Sequence, residues 1–403
     1  MGCGKFVSSA VSFLFEYDTP KIVHINSKKV GVVNRLIQLA VIGYIIGWVI
    51  IINRGYQASD TPISSTTTKL KGVVYTNTSN MQRIWDVADY VVPPQENEAF
   101  FVTTDAIITN NQSQTTCPED YTMIGVLCDP ENPHDVCQPN TAVTNGNGVK
   151  TGNCVKSDVN ETVYVCEIHA WCPVEVDKPP GRKPLLNVSD FTVLIKNNVE
   201  FASFNVKRRN IINDTKDWLK KCHYDPNDEL HKYCPIFRLG DIVRLAGDDI
   251  TEMSLKGGVV AIIIRWDCDL DHGEDECLPK YEFRRIDKKD TKFAGGWNFR
   301  YANYYFEDGI AKRSLVKAYG IRFIILVKGT AWKFSFIPLI LKIGSGLALL
   351  SVATIMCDIF VLYCLKKRNY YREKKYQYVK GDDAYQIFDD HESQQIQQYG
   401  SGN

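Results

Sequence analysis

Apolar residues dominate two long runs near the ends of the chain and alternate with polar ones between them. The runs are Leu36 to Ile52 (LIQLAVIGYIIGWVIII) and Ile337 to Cys364 (IPLILKIGSGLALLSVATIMCDIFVLYC). As helices rising about 1.5 Å per residue, both approach or exceed the length that crosses a hydrocarbon core of ~30 Å. The pattern predicts five parts: a cytoplasmic segment over 1–34, a transmembrane helix over 35–53, an extracellular middle over 54–336, a second transmembrane helix over 337–364 and a cytoplasmic tail over 365–403. Two helices cannot enclose a pore, so a channel built on this plan is an oligomer.

The middle reads as β-rich. Phe100–Val102, Val163–Val165, Phe191–Ile195, Val259–Ile264 and Ile321–Val327 are rich in β-branched and aromatic residues. Turn-forming clusters such as Thr144–Gly148 and Asp225–Asp228 separate them. Short helices are expected near Thr215–Lys221 and Leu239–Ala246, and no internal repeat is visible. Gly381–Asn403 is polar and Gln-rich, the composition of a disordered tail.

Charge sets the orientation. Lys21, Lys28, Lys29 and Arg35 precede the first span, and Lys366, Lys367, Arg368, Arg372, Lys374 and Lys375 follow the second. The positive-inside rule places both termini in the cytoplasm. The glycosylation sequons at Asn77, Asn111, Asn160, Asn187 and Asn213 all fall between the spans. The first span is expected to act as an uncleaved signal anchor. A buried core helix is the alternative for either run, and the charges and sequons argue against it.

Of 13 cysteines, ten lie in the middle: Cys117, Cys128, Cys137, Cys154, Cys166, Cys172, Cys222, Cys234, Cys268 and Cys277. An even number in an oxidising compartment predicts five disulfides. Cys222/Cys234 and Cys268/Cys277 are close pairs suited to local bridges, while the first six can pair in many ways. Zinc is the alternative, but neither Cys-x-x-Cys nor His-Glu-x-x-His occurs.

Basic and acidic side chains balance at 47 each, which speaks against a nucleic-acid partner. No Walker loop, Gly-x-Ser-x-Gly elbow or dinucleotide fingerprint occurs. The clearest chemical constellation is cationic. At strand period, Lys69 and Lys71 share one face and Leu70 takes the other. Asn298-Phe299-Arg300 repeats that geometry, and Lys317 follows in Leu315-Val316-Lys317-Ala318. Each alone reads as a solvated strand face; together they are a candidate polyanion site.

These segments belong to a longer series. Phe15-Glu16-Tyr17-Asp18-Thr19-Pro20, Gly55-Tyr56-Gln57, Lys69-Leu70-Lys71-Gly72 and Ile84-Trp85-Asp86-Val87-Ala88-Asp89-Tyr90 come first. Ala170-Trp171-Cys172-Pro173, Phe191–Asn198, Cys234-Pro235-Ile236-Phe237-Arg238-Leu239-Gly240, Asn298-Phe299-Arg300 and Lys317–Phe323 follow in order. In these motifs the chain resembles the ATP-gated purinergic cation channels, the P2X-type receptors, from about Phe15 to Val379. Phe13–Pro20 and Tyr370–Tyr376 resemble subtype four most.

The resemblance implies a trimer with a β-rich ectodomain, in the plasma membrane, that binds ATP between neighbouring subunits. The family's phosphate-contacting positions fall on Lys69, Lys71, Asn298, Arg300 and Lys317, whose cationic members suit charge-assisted bonds to phosphate. Its adenine and ribose positions fall on Thr192, Leu194, Ile236 and Leu219. Its disulfide order implies Cys117–Cys172, Cys128–Cys154, Cys137–Cys166, Cys222–Cys234 and Cys268–Cys277. Leu341, Ser345 and Ala348 fall where the family narrows its pore. Tyr371 to Lys375 resembles its surface-retention signal, and Thr19-Pro20-Lys21 its kinase site. The function implied is a non-selective sodium, potassium and calcium channel opened by ATP, with Mg2+ as the nucleotide's companion ion, no cofactor and no catalysis. The subunits form homotrimers, or heterotrimers with related chains.

Some positions depart from the family pattern: Trp297, Asn303, Trp332, Ser335 and Lys342, the last a cation inside a span. Lysine there should repel permeant cations unless it snorkels outward. Asp358 reads as helix packing or pore lining, and Gly344-Ser345-Gly346 as close helix contact or a hinge. Cys3 is a candidate for acylation. His134, His169 and His223 are candidate zinc or proton modulators, set against plain surface histidines. Two rival functions are a proton-gated or constitutive sodium channel of the two-span trimeric class, and an ATP-hydrolysing ectoenzyme. The first group lacks Asn298-Phe299-Arg300, and the second would need a carboxylate and metal cluster that is not visible.

Overall fold

The computed structural model describes residues 28–78, 81–142, 145–176, 184–212, 215–288, 296–364 and 369. In chain order it begins with α1 (Lys28–Gly43), which widens into π-type turns over Tyr44–Ile52, then β1 (Gln57–Asp60), β2 (Ile63–Lys71), β3 (Val74–Thr78), β4 (Met81–Trp85) and α2 (Val87–Tyr90). There follow β5 (Ala99–Pro118), β6 (Val149–Lys156), β7 (Tyr164–Cys172), β8 (Thr192–Phe201), β9 (Val206–Arg209), α3 (Lys216–Lys221) and β10 (Ile236–Arg238). The remainder is α4 (Leu239–Leu245), α5 (Ile250–Lys256), β11 (Gly258–Asp269), β12 (Lys280–Arg285), β13 (Asn298–Glu307), β14 (Ile310–Phe334) and α6 (Phe336–Ile359). Two compact units result: Ser59–Lys333, and the segments on either side of it.

The flanking unit carries the two apolar spans, Val30–Ile52 and Phe336–Tyr363. The first helix starts before the apolar run, because nothing between Lys28 and Leu36 breaks it. A Cβ on Gly346 would stand 3.1 Å from the Ile45 side chain, whereas Gly344 has nothing within 4 Å. Gly346 therefore serves close helix approach, the first of the two roles expected for this segment. The Lys342 Cγ lies 3.4 Å from where a Cβ on Gly55 would be. Gly55 follows the outer end of the first span, so the lysine stem runs outward, as a snorkelling cation does. Asp358 is half-buried.

The Ser59–Lys333 unit is built on two main sheets and a two-stranded β3-β4 ribbon. In the larger, the order is β12-β11-β14-β5-β7-β6, with β13 also paired to β14. The smaller runs β10-β8-β2, with β9 also on β8. The sequence read Leu315–Ala318 and Ile321–Val327 as separate pieces, but they belong to one 25-residue strand. Gly320, between them, marks a close approach: a Cβ there would meet the Val102 carbonyl oxygen. Trp266 of the larger sheet donates its indole Nε1–H to Asn197 Oδ1 of the smaller at 2.8 Å, both side chains being buried. Around this bond the core packs Phe100 on Phe323, with ring centroids 4.8 Å apart, and Phe237 on Tyr281. A buried hydrogen bond of this kind between the sheets restricts how they meet.

Both expected short helices form, Thr215 preceding α3 and Ala246 following α4. The disulfides join Cys117 to Cys172, Cys128 to Cys154, Cys137 to Cys166, Cys222 to Cys234 and Cys268 to Cys277. These are the pairs the resemblance implied. The sulfurs of Cys128, Cys137 and Cys166 lie within 4.8 Å of one another, but each is committed to a disulfide and offers no thiolate.

Candidate functional site

The smaller sheet builds the first half of the site. β2 pairs antiparallel with β8, setting Lys69 opposite Leu194 and Lys71 opposite Thr192. β10 lies on the other side of β8, setting Ile236 opposite Leu194 and Arg238 opposite Thr192. Directly opposed residues share a face. Exposure alternates along β2, so Lys69 and Lys71 stand in solvent while Leu70 packs on the core. Along β8 the half-buried Thr192 and Leu194 alternate with the buried Val193 and Ile195. One face therefore presents two lysines, a hydroxyl and two apolar side chains in adjacent rows. A cavity of about 510 Å³ opens beside Lys71, bounded by Asp86, Val87 and Pro94.

The larger sheet builds the second half. Asp308 and Gly309 both take positive φ, 53° and 77°, in the two-residue turn that joins β13 to β14. An Asp-Gly turn with both φ positive favours a tight hairpin and fixes its register. Counting from Glu307 opposite Ile310, that register places Arg300 directly opposite Lys317 and Asn298 opposite Tyr319. Phe299 turns the other way, onto Phe101 at 4.8 Å between ring centroids.

Arg300 and Lys317 are not equivalent cations. Arg300 is half-exposed and forms a bidentate pair: Nε donates to Glu175 Oε2 at 2.9 Å and Nη2 to Glu175 Oε1 at 2.8 Å. Lys317, read from the sequence as solvent-facing, is buried, with Nζ 5.1 Å from the Tyr319 ring centroid. It is sandwiched between β13 and β5, opposite Arg300 and Ile107. Asp105 of β5 stands opposite Tyr319, and burial lifts its carboxyl above the usual range. Glu175 and Arg238 were not singled out in the sequence. Glu175 sits between two valines, far from Arg300 in the chain, and Arg238 is seen as a neighbour of Thr192 only once β10 is paired.

The expected site residues thus form two groups on different sheets: Lys69, Lys71, Thr192, Leu194 and Ile236 on one, and Asn298, Arg300 and Lys317 on the other. Leu219 lies on α3, on neither sheet. On α6, Leu341, Ser345 and Ala348 are exposed on the single subunit. Asn111 and Asn187 are exposed, and Asn160 is half-buried, its Oδ1 accepting from the backbone N–H and hydroxyl of Thr162. Of the histidines, His223 is half-buried, and burial followed by Arg238 holds its pKa below the usual value. Cys3, Thr19–Lys21, Asn213, Tyr371–Lys375 and the Asn77 side chain lie outside the described residues.

Residues 15–378 match the profile of the ATP P2X receptor family. The chain is 50% identical over 377 residues to mouse P2X purinoceptor 4, covering 92% of this chain and 95% of that one. It is 46% identical over 387 residues to human P2X purinoceptor 5, covering 94% and 85%. The crystal structure of a P2X receptor from the Gulf Coast tick, obtained with ATP and Zn2+, superposes with a TM-score of 0.76 at 48% identity, covering 81% of this chain and 99% of that one. That of the chicken ATP-gated P2X7 receptor channel with the competitive antagonist TNP-ATP gives 0.73 at 39% identity, covering 82% and 99%. The chain belongs to the ATP P2X receptor family.

Proposed function

We propose that the chain is one subunit of a trimeric plasma-membrane cation channel opened by extracellular ATP. What carries the reading is the division of the site between two sheets. Lys69 and Lys71 beside Thr192, Leu194 and Ile236 suit a phosphate tail next to a purine ring, and Arg300 opposite Lys317 supplies a second cationic pair. In the trimer the first group comes from one subunit and the second from its neighbour, so the triphosphate ties the two together.

The chemistry is binding, not bond cleavage. Phosphate oxygens accept charge-assisted hydrogen bonds from Lys69, Lys71 and Arg300. The Thr192 hydroxyl meets the adenine edge, Leu194 and Ile236 wall the ring, and Leu219 stands beside the sugar. The buried Lys317 holds positive charge where water screens it least. ATP favours the conformation in which the two groups close on it, and that difference in affinity supplies the energy for opening. Cations then follow an axis lined by α6, with Leu341, Ser345 and Ala348 at the narrow part.

Whole-cell recording from cells expressing the chain tests this. ATP should evoke an inward cation current that stops when ATP is removed, and the purified protein should leave ATP intact. A current driven by protons alone, or phosphate release by the purified protein, would replace the reading.

A further inference from the structure

Strands β2 and β8 carry a second concave surface at the end remote from Lys69 and Lys71. There, Asn198–Glu200 of β8 are flanked on one side by Ile63–Ser65 of β2 and on the other by Lys207–Arg209 of β9. Together with Ile211, Ile212 and Asp275 they line a cavity of about 650 Å³, within the ~300–1,000 Å³ range of small-molecule sites. Among the described residues, Lys207, Arg208 and Arg209 border it together with Glu200 and Asp275.

The counter-ions are weakly held. Lys207 Nζ reaches Glu200 Oε1 only at 3.5 Å, with both side chains exposed. Arg208 Nη1 donates to Asp275 Oδ1 at 3.2 Å, yet the Arg208 side chain is 22% exposed and Asp275 stands fully in solvent. Among the described residues, Arg208 Nε has no acceptor. An exposed carboxylate holds a guanidinium weakly, and a donor left over inside the protein favours any acceptor that can reach it after a small side-chain shift.

We propose that this cavity binds an amphipathic organic anion. Its carboxylate, sulfate or sulfonate head replaces Asp275 on Arg208, and its compact apolar body lies on Ile211 and Ile212. The guanidinium then bonds the head through Nε and a terminal nitrogen, where it now uses a terminal nitrogen alone. Ser65 and Lys69, the nearest residues of the two on β2, are separated by about 13 Å of strand at about 3.3 Å per residue, so the cavity and the candidate nucleotide site are separate.

Naphthalene-1-sulfonate is the probe, measured by equilibrium dialysis against the full-length protein in lipid nanodiscs. Saturable binding of one probe per chain is expected, unchanged by saturating ATP and absent for the neutral naphthalene-1-methanol. Arg208→Gln should weaken it about tenfold, or about 1.4 kcal/mol. Ile212→Ser, at an exposed position that tolerates a polar residue, should weaken it severalfold and serves if Arg208→Gln does not fold. Undiminished binding to the folded variants, displacement by ATP, or equal saturable binding of the neutral probe would overturn the proposal.

Discussion

Arg300 and Glu175 form a bidentate ion pair in which both carboxylate oxygens are used, at 2.8 and 2.9 Å, and Glu175 is almost completely buried. The guanidinium that the proposed function assigns to phosphate is therefore already occupied by an internal anion. Phosphate must displace Glu175, and the pair opposes binding by whatever it contributes. Half-exposure of Arg300 keeps that contribution modest. Glu175→Gln, which keeps the shape and removes the charge, is expected to lower the ATP concentration for half-maximal current about three- to tenfold, or roughly 0.7–1.4 kcal/mol. A rise instead would show that Glu175 orients Arg300 for its ligand.

Lys71 stands exposed in the row with Thr192, with no packing role of its own. Lys71→Ala should therefore reach the cell surface. Losing one charged hydrogen-bond donor costs roughly 1.5–3 kcal/mol, so the ATP response should weaken at least about tenfold. Surface biotinylation together with current recording checks both halves. Normal surface level with an unchanged concentration dependence would remove Lys71 from the site.

Away from the site, Arg285 bonds Asp287 at 2.7 Å and Asp248 at 2.8 Å. Burial alone would raise the Asp287 carboxyl, but the Arg285 guanidinium and the Val259 N–H that donate to it hold it below its ordinary 3.8. A depressed acid contributes stability that is fully present above that ordinary value and is lost as pH falls through the lower, folded one. Asp287→Asn should cost about 1–3 kcal/mol at pH 7. Its Tm deficit should shrink as pH falls below about 4. Melting of the detergent-solubilised protein at both pH values measures this, and a deficit equal at both would rule out the ion pair as its cause.

Lys342 is expected to leave conduction alone, because its stem runs outward beside Gly55. Lys342→Gln should give single-channel conductance equal to the parent's. An increase would put the ammonium in the ion path.

The features legible in the sequence were those written in local periodicity. Lys69 and Lys71 could be placed on one face because strand alternation needs only neighbouring residues, and the two spans follow from composition. The disulfide partners came from family resemblance, since spacing left the first six cysteines open. What escaped depends on contacts distant along the chain. Lys317 looks solvated in Leu315–Ala318 but is buried because β5 and β13 close on both its sides. Glu175 has no local signal, since what marks it is an arginine 125 residues away. The close contact of β5 and β14 at Gly320 likewise depends on Val102, far away in the sequence.

Only Ser335 separates the last residue of β14 from the first of α6, and Lys317 lies on that same strand. From Lys317 to Phe334 the chain covers about 55 Å at ~3.3 Å per residue, already almost fully drawn out. Such a segment has no slack to absorb a pull. Along most of that length it is also laced to β11, from Ile321 to Trp332, so it cannot slip past its neighbour without breaking a whole ladder of hydrogen bonds. A displacement begun at Lys317 must then arrive at the membrane nearly undiminished and carry β11 with it. The strand acts as an inextensible tie-rod, and its length is a mechanical specification: one inserted residue would introduce play between Lys317 and α6.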